Sequence, residues 1–381
     1  MIDGIGLSSH GVGGPGDLPV PLLYSIVGAT WALTISFVVL ILAWREPKFD
    51  GRPDAMSSRR RRPWLAVVGL AAFAWLAYAL YAGPSGGTNA GVRAVYIYVW
   101  VGLVPLALVA GDVWRDLSPW RSIQAVVARV SGRPGGWLRY PEVLGYWPAA
   151  VGVFSFVWME LASPEPSSGG AVRTWVAIYA VTAAAGGAAF GPSWFDRADP
   201  LDVYSSLAAR LGRWRIASAP AAPGLVAFLG TLVGSTAFDS FSGTAFWQSA
   251  DRSMLTATLW LLGFCAGVSV LFAVAAMATP GVGGAERRLL PQVYAHSLIP
   301  IAIGYVLAHY LTLLLDVLGR YPTPLAVLKV AFVVLGHLLA VVAAHDCALR
   351  VLPRQHRTTG QLAMLMLMVS ITYTGLFLLL S

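Results

Sequence analysis

The chain has 381 residues, of which 57% are hydrophobic and only 12% are charged, whereas an ordinary soluble domain has roughly 45–50% apolar and 25% charged residues. Together with a mean hydropathy of +0.67, these values exclude a compact soluble enzyme, a DNA-binding protein and a disordered chain. The net charge of +8 is expected of a membrane protein that keeps its arginines on the cytoplasmic side. We therefore expect a membrane protein that contacts the lipid bilayer and binds no nucleic acid.

Apolar runs recur along the whole chain, and about 20 apolar residues suffice for a helix to cross a membrane. They predict an all-α, polytopic transmembrane helix bundle that forms a single integral membrane domain over residues 1–381. About ten spans are expected, at 21–44, 64–82, 94–112, 142–162, 171–190, 221–239, 254–278, 292–315, 324–346 and 361–380. Residues 1–20 have no basic stretch and no clear cleavage site follows the first span, so they are expected to form an extracytoplasmic leader.

Basic residues are distributed unequally between alternate loops. Of the 26 Lys and Arg residues, 21 fall in loops on one side of the predicted bundle and four in loops on the other. Because positively charged loops are retained in the cytoplasm, the richer side is the cytoplasmic one. This predicts a multi-pass protein of the plasma membrane with both termini outside.

Residues 94–162 and 171–239 are interpreted as an internal repeat. Ser118-Pro119 and Asp199-Pro200 each open a segment with apolar residues at every third or fourth position, and the two prolines are 81 residues apart. A capping residue followed by Pro is typical of a helix start, and the periodicity predicts a short amphipathic helix on the inner leaflet. Spans 3–4 and 5–6 are thus expected to be two copies of one hairpin, each carrying a cytoplasmic amphipathic helix.

Two acidic residues, Glu160 and Asp239, end spans 4 and 6 at matching places in this repeat. One interpretation is that carboxylates at span ends simply meet water. The other is that both face a common pocket that opens outward, because acidic residues in such positions are costly and often functional. In the second interpretation they are candidate catalytic bases.

Four of the six histidines lie in residues 292–346, which form a predicted His-bearing pair of helices. His309 and His337 are expected near the middle of the bilayer on neighbouring antiparallel helices. An inner polar group near the cytoplasmic surface consists of His296, His345 and Asp346. This group either has a functional role or only anchors the interface and caps helix ends. Three other polar residues lie within the spans: Asp316, Lys329 and Tyr310.

Histidine and carboxylate together suit a divalent transition metal, with zinc or copper as the best candidates. The predicted outer site consists of His309 and His337, with Glu160 and Asp239 as ligands or neighbours, and the leader could add His10. The alternative is a network of hydrogen bonds that packs helices together, because intramembrane histidines also bond across bundles.

Several segments together resemble a family of actinobacterial multi-pass membrane proteins labelled fenitrothion hydrolase. They are the leader stretch HGVGGPGDLPVP, the segment GSTAFDSF at 234–241, the span AHSLIPIAIGYVLAHY and the span GHLLAVVAAHD. The resemblance implies metal-assisted hydrolysis of a phosphotriester.

Three functions compete at this point. The first is an integral membrane metal-dependent enzyme, a hydrolase with an outward-facing site whose small-molecule substrate is extracytoplasmic or lipid-soluble. The second is a transporter or metal permease, in which the outer and inner histidines are two stops on one path. The third is a scaffold or assembly subunit of an envelope complex, with the amphipathic helices as docking surfaces. Bound metal, uptake into proteoliposomes and co-purifying partners would distinguish them.

Overall fold

The structure is a computed structural model that describes residues 21–52, 62–84, 89–165, 168–249, 253–317 and 325–380. Over these residues the chain is helical and contains no strand, which confirms the predicted all-α class. The predicted leader with His10 lies outside the described residues, and so does the side chain of Asp316.

Sixteen helices are numbered here in chain order, with Ala90–Ala110 taken as one interrupted helix. They are α1 (Leu22–Ala43), α2 (Pro63–Ala82), α3 (Ala90–Ala110), α4 (Trp114–Leu117), α5 (Pro119–Ser131), α6 (Trp147–Leu161), α7 (Gly169–Phe190), α8 (Pro192–Arg197), α9 (Pro200–Gly212), α10 (Leu225–Ser242), α11 (Ala245–Ser249), α12 (Met254–Met277), α13 (Gly284–Tyr294), α14 (Leu298–Val317), α15 (Leu325–Val351) and α16 (Leu362–Leu380). Short 3-10 turns lie at Glu142–Leu144, Ile216–Ser218, Ala295–Ser297, Arg354–His356 and Thr359–Gln361.

Nine helical stretches in the described residues are long and apolar enough to cross a membrane. Their exposed faces are apolar as well, and α2, for example, exposes Trp64, Val67 and Tyr78. A helix that is hydrophobic all round is either buried in a protein core or embedded in lipid. Because these faces are exposed, they indicate a membrane protein, as predicted. The nine match nine of the ten predicted spans. The other, predicted at 171–190, is the 22-residue helix α7, which is not one of the nine.

The chain divides into two compact units, which are described separately. The first unit comprises the described residues of Asp54–Trp214 and Ala222–Gly224. The second unit comprises the described residues of Ser9–Pro53, Arg215–Ala221 and Leu225–Ser381.

Aromatic side chains from three helices form part of the core of the first unit. Trp100 of α3 stacks on Tyr204 of α9 with ring centroids 5.0 Å apart, and it contacts Phe156 of α6 at 4.6 Å. Rings of this size bury much apolar surface. This packing holds α9 against the apolar helices α3 and α6.

Two glycines end long helices of the first unit in the same way. Gly111 follows α3 with a φ of 86°, and Gly191 follows α7 with a φ of 61°. A residue with a side chain rarely adopts this left-handed region. At Gly111 a Cβ would also stand 2.0 Å from the guanidinium of Arg213, so both the turn and the close approach require glycine.

In the second unit, α14 and α15 approach closely through two glycines. A Cβ on Gly304 would lie 2.6 Å from the Phe332 carbonyl oxygen, and a Cβ on Gly336 would lie 2.6 Å from the Pro300 carbonyl oxygen. Small residues let membrane helices pack backbone to backbone. This contact places the two predicted His-bearing helices, α14 and α15, side by side.

Three local features differ from the sequence prediction. Residues Ala94–Val101 form a π-helix inside α3, where an uninterrupted span was predicted. The residues before span 8 form the amphipathic helix α13 instead of a loop, and α15 continues to Val351 instead of ending near 346. Hydropathy alone marks apolar length, so it does not detect a wider turn or a polar extension of a helix.

Candidate functional site

The candidate site lies in the second unit, where the last turn of α10 meets α14. Oδ2 of Asp239 and Nε2 of His309 are 2.7 Å apart. Nδ1 of the same imidazole is 3.4 Å from Oγ of Ser240. The side chains of His309 and Asp239 are 8% and 13% exposed, so the pair is largely shielded but can still be reached.

The hydrogen-bond pattern fixes the tautomer of the neutral imidazole. An ionised carboxylate only accepts hydrogen bonds, so Nε2 of His309 carries the hydrogen and donates it to Asp239. Nδ1 then has a lone pair that faces the Ser240 hydroxyl. This is the arrangement of a general base next to a hydroxyl nucleophile, with a third group that orients the base.

Phe238 and Phe241 flank Asp239 and Ser240 along α10 and belong to an aromatic cluster with residues of α11 and α12. Phe241 stacks on Trp260 with centroids 5.1 Å apart and contacts Trp247 at 5.9 Å. The cluster comprises Phe238, Phe241, Phe246, Trp247, Trp260 and Phe264. Because Phe246 and Trp260 are exposed, the site has an apolar surface next to its polar groups.

Among the described residues, the predicted metal ligands do not form a group of three or more. Nowhere in the described ranges do three or more His, Cys, Asp or Glu residues come close enough to hold a metal ion. His337 is fully buried, and its Nδ1 is 2.9 Å from the Val333 carbonyl oxygen, while its Nε2 has no hydrogen-bond partner among the described residues. Metal binding by His309, His337 and the leader residue His10 stays a prediction.

Glu160, the second predicted base, belongs to the first unit. It is buried near the end of α6 and interacts electrostatically with Tyr96 and Tyr204 of the same unit. Asp239 belongs to the second unit. The common outward-opening pocket predicted for the two carboxylates therefore stays a prediction.

Two residues of the predicted inner group hold the chain that follows α1. His345 places Nε2 2.8 Å from the Trp44 carbonyl oxygen, which lies at the end of α1. Oδ1 of Asp346 accepts hydrogen bonds from the backbone N–H groups of Lys48 and Phe49, at 2.6 and 3.2 Å. Of the two alternatives left open, these contacts fit the capping role.

Three further predicted polar residues, His296, Lys329 and Tyr310, are buried. His296 places Nδ1 2.9 Å from the Val293 carbonyl oxygen. Lys329 and Tyr310 are both buried, and the Tyr310 ring packs edge-on against the His309 ring at 4.8 Å. Tyr310 thus helps to fix the imidazole of the site.

The first unit contains a charge network that the sequence analysis did not single out. Arg121 of α5 bonds Asp202 of α9 at 2.8 Å and Asp196 at 2.7 Å, and Arg115 reaches Asp196 at 3.2 Å. Burial works against the charged guanidinium, but Asp202 and Asp196 outweigh it and raise the pKa of Arg121. The 81-residue spacing of Arg121 and Asp202, equal to that of the two prolines, was the available signal.

Asp199 caps α9 and is completely enclosed. Its Oδ1 accepts hydrogen bonds from the backbone N–H groups of Leu201 and Asp202, at 3.0 and 2.9 Å, and its carboxylate accepts one from the Tyr179 hydroxyl at 3.0 Å. Burial raises the pKa of Asp199 above its ordinary value, although these hydrogen bonds and Arg121 oppose the shift.

Replacing Asp199 with Asn should make the protein less sensitive to rising pH. Above the ordinary pKa of Asp, the folded protein keeps a proton that the unfolded chain has lost, so stability falls as the pH rises through the raised pKa. Asn keeps the cap and cannot ionise. Melting curves of the detergent-solubilised protein, recorded upward from the ordinary pKa of Asp at about 4, should show the variant gaining on the wild type as pH rises. The exposed Asp50, which also bonds a backbone N–H, supplies the control Asp50→Asn; parallel curves for Asp199→Asn and wild type would contradict the idea.

Comparison with known proteins assigns no family to the chain. No protein-family model, no curated protein and no solved structure matches it.

Proposed function

We propose that the protein is an integral membrane hydrolase in which the Asp239–His309 pair activates the hydroxyl of Ser240. The observation that carries the proposal is the contact of both imidazole nitrogens, with the carboxylate at 2.7 Å and the hydroxyl at 3.4 Å. The second distance is long for a hydrogen bond. Catalytic hydrogen bonds are often long without substrate and tighten when substrate binds.

The reaction divides into two transfers. Nδ1 of His309 takes the Ser240 proton while Oγ attacks the carbonyl carbon or phosphorus of an ester, and Asp239 stabilises the imidazolium that forms. The imidazolium then gives its proton to the departing alkoxide. In the second transfer His309 takes a proton from a water whose oxygen attacks the same carbon or phosphorus, the bond to Ser240 Oγ breaks, and the imidazolium returns its proton to Oγ, so the acid is released and the serine restored.

The surroundings of the pair suggest the substrate class. The aromatic cluster next to it presents apolar rings, and aromatic side chains favour apolar and aromatic groups. We propose an apolar ester as substrate, either dissolved in the lipid or reaching the site from the extracytoplasmic side. The phosphotriester implied by the family resemblance belongs to this class.

The proposed topology has ten spans, both termini outside and the plasma membrane as the location. Residues 94–162 and 171–239 are the two repeated hairpins. Support comes from α5 and α9, which each have 13 residues, a capping side chain and Pro at the first position. The contact between Arg121 and Asp202, at equivalent repeat positions, also favours two related copies. In this topology the end of α10 faces outward.

A fluorophosphonate probe tests the proposal directly, because attack by Oγ on phosphorus expels fluoride and leaves a stable adduct. Peptide mass spectrometry should locate the adduct on Ser240. Labelling should be lost in Ser240→Ala and fall strongly in His309→Ala. The control Ser242→Ala, two residues away on the same helix turn, should label normally. An unlabelled wild type, or labelling that survives Ser240→Ala, would count against the proposal.

A metal-dependent hydrolase is the second candidate, because imidazole and carboxylate are also the donors that zinc prefers. A metal would take Nε2 and Oδ2, which bond each other in the dyad, and it would need further ligands such as His337, Glu160 or His10. Chelation separates the two candidates. The serine mechanism expects unchanged probe labelling after chelation, whereas the metal mechanism expects bound zinc or copper in the wild type, none in His309→Ala, and ester hydrolysis that stops until metal is returned.

A further inference from the structure

Helix α5 of the first unit leaves one apolar face uncovered. Its first turn is buried and includes Trp120 and Arg121. Beyond this turn, exposed apolar side chains follow one another at helical spacing: Ile123, Val126, Val127 and Val130. Residues separated by three, four and seven positions lie on one face of a helix. The exposed side chains therefore form one continuous apolar stripe, which ends at Val130 with 84% of that residue exposed.

The helix at the matching place of the proposed repeat is packed differently. Helix α9 also has 13 residues and begins with a capping side chain and Pro, but its apolar residues Leu201, Tyr204 and Leu207 are buried. The apolar face of an amphipathic helix packs on protein or lies on lipid. Because α9 is covered by protein and the stripe of α5 is exposed, the stripe is available to a partner outside the described chain.

The position of α5 along the chain keeps it close to the bilayer. It lies between two stretches that are long and apolar enough to cross a membrane, Ala90–Ala110 and Glu142–Leu161. It also packs against α2, which is another such stretch, and against α7. A helix that is tethered and packed in this way stays at the membrane surface, so lipid is the apolar phase within reach of the stripe.

The loop that follows α5 extends this surface. Arg133 places its guanidinium 4.1 Å from the centre of the Trp137 ring, and both residues are exposed. The backbone N–H groups of Trp137 and Leu138 donate to the Ala189 carbonyl oxygen at 2.8 and 2.7 Å. The loop is thus fixed against the last turn of α7. Tryptophan is enriched where lipid tails meet headgroups, and an arginine beside it can reach the headgroups.

The charge of this surface has one sign. Residues 119–141 contain four arginines and no Asp or Glu. Arg121 is buried, whereas Arg129, Arg133 and Arg139 are exposed. An apolar stripe with cations beside it is the arrangement that binds a layer of anionic headgroups above acyl chains.

We propose that α5 and the loop 132–139 form a docking surface for anionic phospholipids of the bilayer. The apolar stripe enters the acyl region, and the three exposed arginines bind the phosphate groups of the headgroups. In the proposed topology these lipids belong to the inner leaflet. The surface is independent of the Asp239–His309 pair, because all of its residues belong to the first unit.

A fluorescent label on Val130→Cys tests the proposal in the full-length protein. The two native cysteines, Cys265 and Cys347, are buried, so a thiol-reactive NBD label goes to the introduced residue. The protein is reconstituted into phosphatidylcholine vesicles that contain a small amount of nitroxide-labelled phosphatidylglycerol or of nitroxide-labelled phosphatidylcholine, and the nitroxide quenches the label on contact. We expect phosphatidylglycerol to quench about fivefold more effectively, the scale expected of one arginine near an anionic surface.

Two controls separate the arginines from the apolar stripe. The triple variant Arg129→Gln, Arg133→Gln and Arg139→Gln should bring the quenching ratio of the two lipids close to one, while phosphatidylcholine still quenches the label. A label on Val181→Cys should be quenched equally by both lipids, because Val181 is exposed on α7 in the stretch 174–190, which contains no Lys or Arg.

Equal quenching of the Val130→Cys label by the two lipids, or a preference that survives the triple variant, overturns the proposal. So does a label that neither lipid quenches, because α5 would then face water, a second copy of the chain or another protein. Should the triple variant fail to fold, raised ionic strength replaces it. Screening of the exposed charges should then lower the preference of the labelled protein toward one, and an unchanged preference overturns the role of the arginines.

Discussion

Replacing His309 with Ala should lower kcat/KM for an apolar p-nitrophenyl ester on the order of 10⁶-fold, the scale seen when the histidine of a serine, histidine and carboxylate unit is removed. The imidazole is the only group in the proposed mechanism that moves the Ser240 proton. Without it the hydroxyl must attack as a neutral and weak nucleophile. Stopped-flow or steady-state assays of purified protein in detergent measure this loss.

The Asp239→Asn variant separates the role of charge from that of shape. Asn keeps the volume of the side chain but cannot stabilise an imidazolium, so kcat should fall on the order of 10⁴-fold. Combining Asp239→Asn with His309→Ala should cost little more than the larger single loss, since residues that act as a unit are not additive. If the two losses multiply, the residues act separately and the dyad is not the catalytic base.

The sequence analysis placed Asp239 and His309 in one predicted outer site, together with His337 and Glu160, but it did not predict that these two side chains form a hydrogen-bonded pair. Both belong to the few ionisable groups in apolar spans, which makes them visible in a chain with only 12% charged residues. Their contact depends on how α10 and α14 are rotated toward one another, and one sequence does not encode this. Ser240 was missed because a serine next to a span end has no distinct pattern until its distance to Nδ1 is known.

The helices themselves could be predicted far better than their packing. Apolar length sets span positions to within a few residues, since the lipid core demands about 20 of them. By contrast, Asp346 binds backbone N–H groups 298 and 297 residues away. A contact at such a distance depends on tertiary structure, so sequence reasoning left the role of Asp346 open between function and anchoring.

Arg121→Ala should destabilise the protein by about 3–5 kcal/mol, as expected when one partner of a buried ion pair is removed. Arg121 is buried and bonds both Asp202 and Asp196. Without the guanidinium, the buried carboxylate of Asp202 loses the cation that balances its charge. The carboxyl group must then take up a proton, or the surrounding region unfolds. Thermal melting of the solubilised protein measures the change. Arg129→Ala, an exposed arginine on the same helix, should change stability by only about 0.5 kcal/mol.

A charge exchange tests whether this pair joins two equivalent sites. Arg121→Asp alone places a third carboxylate beside Asp202 and Asp196, and Asp202→Arg alone places two guanidinium groups together. Each of these single variants should have a lower melting temperature than Arg121→Ala. Arg121 and Asp202 are 81 residues apart, which places them at equivalent positions of the proposed repeat, and the double variant restores opposite charges across the same contact. It should recover at least about 2 kcal/mol relative to the sum of the single losses, within the range of coupling between contacting residues. Strictly additive losses would mean that the two side chains are not coupled, and the repeat would lose its main structural support.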